Sequence, residues 1–97
     1  MGNPVVRLGD TCTGHGCWPP RANVAASADV RINGQGAHRV GDAWAAHTCP
    51  SIPETHASVQ ASGSGTVRVN GLALARVGDS IACGSTNATG SANVRAG

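Results

Sequence analysis

The chain has 97 residues and a formal net charge of +2, carried by seven arginines and no lysine against five acidic residues. Its apolar content is built from small side chains, with 16 Ala and 10 Val against three Leu, three Ile, two Trp and no Phe or Tyr. Ordering a residue costs roughly 1.5 kcal/mol and apolar burial returns about 25 cal/mol per Å², so a core this thin calls for a staple, either disulfides or a metal. No apolar run reaches the ~18 residues of a membrane span, and the N-terminus carries neither a signal-peptide core nor a myristoylation pattern. Six of the seven arginines sit inside two repeated motifs rather than in a basic stripe with aromatic partners, which argues against nucleic-acid binding. The expectation is a single domain over residues 1–97, synthesised in the cytoplasm.

In chain order the first element is a turn, Arg7-Leu8-Gly9-Asp10, which recurs as Arg39-Val40-Gly41-Asp42 and Arg76-Val77-Gly78-Asp79. A second unit, Ser27-Ala28-Asp29-Val30-Arg31, recurs as Ser64-Gly65-Thr66-Val67-Arg68 and Ser91-Ala92-Asn93-Val94-Arg95. Val30-Arg31-Ile32-Asn33-Gly34 alternates apolar and polar residues and ends in Asn-Gly, the strongest short-range hairpin signal, so it reads as a strand entering a tight turn. Ala37-His38-Arg39-Val40 is the return strand. The excursion after Asp42 is the longest, 22 residues to Ser64 against 17 from Asp10 to Ser27 and 12 from Asp79 to Ser91. It contains Cys49-Pro50-Ser51-Ile52-Pro53-Glu54-Thr55-His56, which reads as an ordered irregular loop. Val67-Arg68-Val69-Asn70-Gly71 and Leu74-Ala75-Arg76-Val77 then repeat the strand, turn and strand. No window sustains helical periodicity, and 14 Gly with five Pro oppose long helices. Strict alternation of two motifs, three times each, predicts an all-β, pseudo-threefold domain of short strands and hairpins.

The chemistry lies just after each Gly-Asp. The fifth residue beyond the Asp is His15 in the first copy and His47 in the second, and in the third copy Cys83 lies four residues on. Threefold folding brings these positions together, and His56 from the long excursion completes four ligands. Three imidazoles and a thiolate suit tetrahedral zinc, and four protein ligands leave no open position for a catalytic water. Cys17 and Cys49 each lie two residues past a ligand histidine, so either is an alternative ligand or the two are buried thiols. Cys12 has no counterpart in the other copies. His38 has none either and reads as a packing or surface residue. Four cysteines in a chain made in a reducing compartment point to metal binding or free thiols ahead of disulfides. Asp10, Asp42 and Asp79 are read as turn residues paired with arginine rather than as a catalytic carboxylate cluster, and no phosphate loop, nucleophile elbow or His-Glu-x-x-His motif is present. The chain is not expected to be an enzyme.

With Asn-Gly, a short strand, then Arg-Val-Gly-Asp followed by His or Cys, the chain resembles the PAAR-repeat proteins over Pro4 to Gly97. The naming motif stands as Pro4-Val5-Val6-Arg7, Gly36-Ala37-His38-Arg39 and Ala73-Leu74-Ala75-Arg76, and only the first copy keeps its proline. Gly63-Ser64-Gly65-Thr66-Val67 and Gly90-Ser91-Ala92-Asn93-Val94 also match the family pattern. The resemblance implies a small conical β domain capping the blunt end of a trimeric β-helical spike (VgrG-like), one copy per trimer. Such a domain is the piercing tip of a type VI secretion system or a related contractile injection machine, secreted with the spike and in transient contact with a target membrane. It also implies zinc, ahead of iron, held by His15, His47, His56 and Cys83. The chain ends at the third repeat, so effector cargo would be bound separately. The competing readings are a phage or pyocin tail tip, a free-standing metal-binding or redox module, and a small metal hydrolase with a water among its ligands.

Overall fold

The computed structural model describes residues 2–52 and 54–97, so Pro53 of the middle excursion lies outside them. Among the described residues there is no helix, and eight short strands form four two-stranded antiparallel sheets within principal extents of 39 × 26 × 21 Å. Strands β1 (Asn3–Pro4), β2 (Arg31–Ile32) and β3 (Gln35–Gly36) are followed by two longer strands, β4 (Ala43–Cys49) and β5 (Glu54–Val59). Then come β6 (Arg68–Val69), β7 (Leu72–Ala73) and β8 (Arg95–Ala96).

Hairpins β2–β3 and β6–β7 turn at Asn33-Gly34 and Asn70-Gly71, where both Asn have φ 55° and the Gly have φ 82° and 80°. Two successive positive φ values are what a two-residue hairpin turn with the strands' own twist requires. The third hairpin is made from the two ends of the chain. β8 pairs with β1, with Arg95 opposite Pro4 just as Arg31 faces Gly36 and Arg68 faces Ala73. The adjoining backbone bonds repeat likewise: Ala37 donates to Val30, Leu74 to Val67 and Val5 to Val94.

The copies are joined by a closed ring of backbone hydrogen bonds. Val6 N–H donates to Ala75 O at 3.0 Å, Ala75 N–H to His38 O at 2.9 Å and His38 N–H to Val6 O at 3.1 Å. Each return segment therefore bridges to its neighbours, through Val5–Arg76, Arg7–Ala37 and Arg39–Leu74, instead of extending its own hairpin. Around this ring the core is layered in threes. One cluster combines Ile32, Val69 and Ala96 with Val5, Ala37 and Leu74. A second consists of Cys12, Trp44 and Ile81, each two residues past its Gly-Asp, with Cys83 packed against it. Cys12 thus does have counterparts, and they were hidden because the three are chemically unlike.

Two polar devices recur in each copy. Asp10, Asp42 and Asp79 each accept from the backbone N–H and the Nε of the arginine three residues earlier, with Nε–Oδ2 distances of 3.0, 2.9 and 2.9 Å. The Gly between them takes φ of +91° to +93°, which the turn needs and side chains disfavour. Ser27, Ser64 and Ser91 accept the N–H groups two and three residues ahead, capping the strand entry. Ser27 and Ser91 also donate to Asn70 and Asn33 of neighbouring hairpins at 2.6 Å, while Ser64 meets the carbonyl of Gly97.

The segment from Cys49 to His56 departs from the irregular loop expected. Its described ends belong to a hairpin, Cys49 closing β4 and Glu54–His56 opening β5, with His47 opposite His56 and Thr48 opposite Thr55, whose hydroxyls are 2.7 Å apart. The turn signal is met at Pro50-Ser51-Ile52, and cross-strand pairing orders the residues on either side of it.

One packing exchange breaks the threefold rule in a compensated way. A Cβ at Gly36 would lie 2.8 Å from Ser27 O and 2.9 Å from the Ala26 Cβ, and one at Gly63, which matches Ala26 in the second copy, would lie 2.8 Å from Leu74 O and 3.2 Å from the Ala73 Cβ. The first copy has Ala then Gly and the second Gly then Ala. Gly36→Ala alone should cost about 1–3 kcal/mol through overpacking, and Ala26→Gly in the same chain should restore the share due to the Ala26 methyl, leaving the Ser27 carbonyl contact. Urea denaturation of the two single variants and the double variant measures this, and additive losses would refute it.

Candidate metal centre

Each donor is placed by a different local device. His15 sits in a tight turn in which its N–H donates to Trp18 O at 3.0 Å and Trp18 N–H returns the bond at 2.8 Å. Gly14 enters that turn at φ +73°, and a Cβ there would lie 2.6 Å from Trp18 O, so only glycine fits. His47 and His56 face each other across β4 and β5 beyond a register shift between Trp44 and His47. Cys83 projects from a turn closed by Gly84 N–H to Ile81 O and Ile81 N–H to Ser85 O, with Gly84 at φ +108°.

These devices bring His15, His47, His56 and Cys83 together, with one donor atom from each lying within 4.8 Å of all the others. The His56 Nε2 is 3.0 Å from the His15 Nε2 and 2.7 Å from the His47 Nε2. His47 Nδ1–H donates to Pro19 O at 2.8 Å, which fixes the tautomer and leaves its Nε2 lone pair aimed into the cluster. Lone pairs converging on one point repel unless a cation or proton lies between them. Tetrahedral coordination with nitrogen at about 2.0–2.1 Å and sulfur at about 2.3 Å sets donors about 3.3–3.6 Å apart. The His56 contacts are tighter than that spacing, and the cluster fits a metal ion by donor type, number and convergence.

Trp18 walls the site, its ring centroid 5.1 Å from that of His15 and 4.9 Å from that of His56, and its Nε1–H is held by Glu54 O at 3.0 Å. Behind Cys83 lies Arg21, the one arginine outside the repeated motifs. It is buried at 9% exposure, with Nη2 3.4 Å from Cys83 Sγ, Nη1 2.9 Å from Cys12 Sγ and Nε donating to Ala45 O at 2.8 Å. Neither Trp18 nor Arg21 was singled out from the sequence. The available signal for Arg21 was its exclusion from a pattern that every other arginine obeys.

Cys17 and Cys49 are joined in a disulfide, with Cα atoms 5.0 Å apart, so neither is a ligand nor a free thiol in this structure. Matching register two residues past His15 and His47 is what makes them neighbours. His38 is fully buried, its Nδ1–H donating to Ala25 O at 2.8 Å and its ring set edge-on to Trp44 at 5.2 Å. Its Nε2 has no hydrogen-bond partner.

Burial lowers the pKa of His15, with the positive neighbours His56 and Arg21 adding to it. Burial likewise lowers that of His47 against the opposing Pro19 bond, and that of His38 against the Ala25 bond. At Cys83 burial opposes ionisation, but hydrogen bonds from Ser85 and Arg21 outweigh it and hold the thiol below its ordinary range.

Two outcomes follow. The disulfide closes a sequence separation of 32 residues, for which chain entropy gives about 3–4 kcal/mol. Reduction, or Cys17→Ser with Cys49→Ser, should lower the melting temperature on the order of 10 °C or more, and an unchanged melt would refute the staple. For the three histidines the native state favours the neutral form, so below the ordinary value of 6.5 the unfolded chain binds more protons than the native one. Stability should be complete above that pH and fall as pH drops through the lower native values. Melting in chelator from pH 8 to 5 should show this loss even without metal, and a flat profile would contradict it.

A family model described as the PAAR motif matches residues 22–89, a stretch that includes His47, His56 and Cys83 while His15 precedes it. Comparison with curated proteins finds no match to the chain. The matched stretch spans more than half of the sequence and contains the second and third Arg-Val-Gly-Asp turns together with the β4–β5 hairpin. The chain belongs to the PAAR-motif family.

Proposed function

We propose that this protein is a non-catalytic, zinc-stabilised tip that caps the trimeric β-helical spike of a type VI secretion system and leads it through a target membrane. The observation that carries the reading is the closed threefold frame. Three quasi-equivalent hairpins, one made from both chain ends, give one chain a set of three similar edges to set against three identical subunits. Family membership supports a spike-tip role in general. Exposed Val30, Val67 and Leu72 on the hairpins add apolar area to the strand edges, which suits main-chain pairing with a partner sheet. Three weak edges engaged together attach firmly, because docking of the first presents the others at high effective concentration.

The metal role is structural. His15, His47, His56 and Cys83 supply four ligands, which suits tetrahedral zinc with no place for a reacting water. When bound, the ion cross-links segments that share only a small apolar cluster. The chain's own part is to keep His47 oriented through Pro19 and to shield the site with Trp18.

Native mass spectrometry of the chain reconstituted with its cognate trimeric spike tests both parts at once. The expected mass is one chain plus one zinc ion per trimer. Three chains per trimer, or no complex at micromolar concentration, would overturn the capping role, and a complex lacking metal after purification without chelator would overturn the structural zinc.

A further inference from the structure

Arg21 is a buried guanidinium without a carboxylate. The three ion pairs among the described residues take Arg7, Arg39 and Arg76, each with the aspartate of its own turn. Asp29 receives an amide proton of Asn70 instead. A buried charge left without compensation is strongly destabilising, so the partners that Arg21 does have must carry its counter-charge. Those partners are two sulfurs. Nη1 is 2.9 Å from Cys12 Sγ, Nη2 is 3.4 Å from Cys83 Sγ, and the backbone N–H of Arg21 also donates to Cys12 Sγ at 3.4 Å.

The guanidinium is held rigidly in this fork. Its Nε–H donates to Ala45 O on β4, two residues before His47, and its Cζ lies over the Trp44 ring, 5.3 Å from the centroid. Two residues upstream, the Pro19 carbonyl accepts from His47 Nδ1. One tripeptide, Pro19-Pro20-Arg21, therefore contacts two of the four donors from behind.

We infer that Arg21 is a positioning residue for the metal centre: its guanidinium fork, anchored on Ala45 and Trp44, orients the Cys83 sulfur toward the metal and sets its donor strength, with Cys12 as the second sulfur of the fork. The inference rests on the metal reading given above. A flexible ammonium cannot replace the fork, because lysine has no planar pair of donors to span two sulfurs while also meeting a carbonyl. N–H···S bonds draw charge from a thiolate, so they tune the metal–sulfur bond as well as aim it.

Cobalt substitution reads this directly through the thiolate-to-metal charge-transfer band. Wild-type protein should show the band, Arg21→Gln should move it to lower energy and weaken metal affinity roughly 10–100-fold in chelator competition, and Arg21→Lys should fail to restore either. An Arg21 that merely packs would lower the melting temperature while leaving band energy and affinity unchanged, and that result overturns the inference. Should the variants not fold, the wild type itself decides. With cadmium-113 bound, a scalar coupling between the metal and an Arg21 guanidinium proton across Cys83 Sγ is expected, and its absence would overturn the inference. A wild type that binds neither cobalt nor cadmium would overturn the metal reading together with it, whereas metal binding untouched by Arg21→Gln and Arg21→Lys would overturn this inference alone.

Discussion

The ring of hydrogen bonds from Val6 to Ala75, Ala75 to His38 and His38 to Val6 is the constraint on which the rest depends. No copy can bury its apolar residues by itself, because Val5, Ala37 and Leu74 reach the core only when the three return segments meet. The ring also forces the two ends of the chain to pair, since the third copy has its outgoing strand in β8 and its return strand in β1. Closure is thus entirely non-local, with contacts joining residues more than 90 apart in sequence, such as Asn3 and Ala96. Such topologies lose loop-closure entropy before contacts repay it. Locally closed Arg–Asp turns and Ser caps reduce that cost, because they set backbone direction in each copy before the copies meet.

Beyond the ring the supply of apolar side chains runs short. The second cluster has only Trp44 and Ile81 as large members, beside Cys12 and Cys83. A disulfide and a cluster of four donors able to hold a metal ion lie where the hydrophobic effect has least to offer, as expected for a domain with so few large apolar residues. The disulfide joins the His15 turn to the end of β4, and the four donors join that turn, both strands of the long hairpin and the third copy. The middle copy contributes the bulk on the axis. His38 and Trp44 stand where the first copy offers Val6 and Cys12 and the third Ala75 and Ile81, so one large residue and two smaller ones fill each layer.

Much of this was legible in the sequence because the repeated elements are locally determined. Asn-Gly and Gly-Asp demand particular backbone angles, and the turns at Asn33, Asn70, Gly9, Gly41 and Gly78 adopt them. The convergence of His15 and His47 was legible because they share a register that the ring converts into proximity, and Cys83 and His56 join them from one residue out of register and from the long excursion. The β4–β5 hairpin was not, since prolines dominate the local signal while Thr48–Thr55 and His47–His56 pairing acts across strands. Cys12 escaped because its equivalence to Trp44 and Ile81 is one of position, with no likeness in side chain. The Cys17–Cys49 bond escaped for a different reason: spacing made the two sulfurs equivalent, but only the turn geometry at Gly14 and Gly16 shows that they touch.

The site also shows where threefold order must yield. A threefold frame delivers three equivalent donors, and the positions after Gly-Asp deliver His15, His47 and Cys83. Tetrahedral coordination requires a fourth ligand, which no threefold operation on the other three can generate. That ligand has to come from an element present in one copy only. The long excursion of the second copy is that element, and folding it back as an antiparallel hairpin sets His56 directly opposite His47, the one arrangement that brings the added donor to a ligand already in place. Symmetry is kept in the layers that join the copies and broken in the hairpin that completes the four-donor cluster. The same asymmetry explains why the outer contacts, Pro19, Arg21 and Trp18, all come from the first copy. With the second copy supplying two ligands and the third bearing the shortest segment, only the first has chain left to wrap the site from behind.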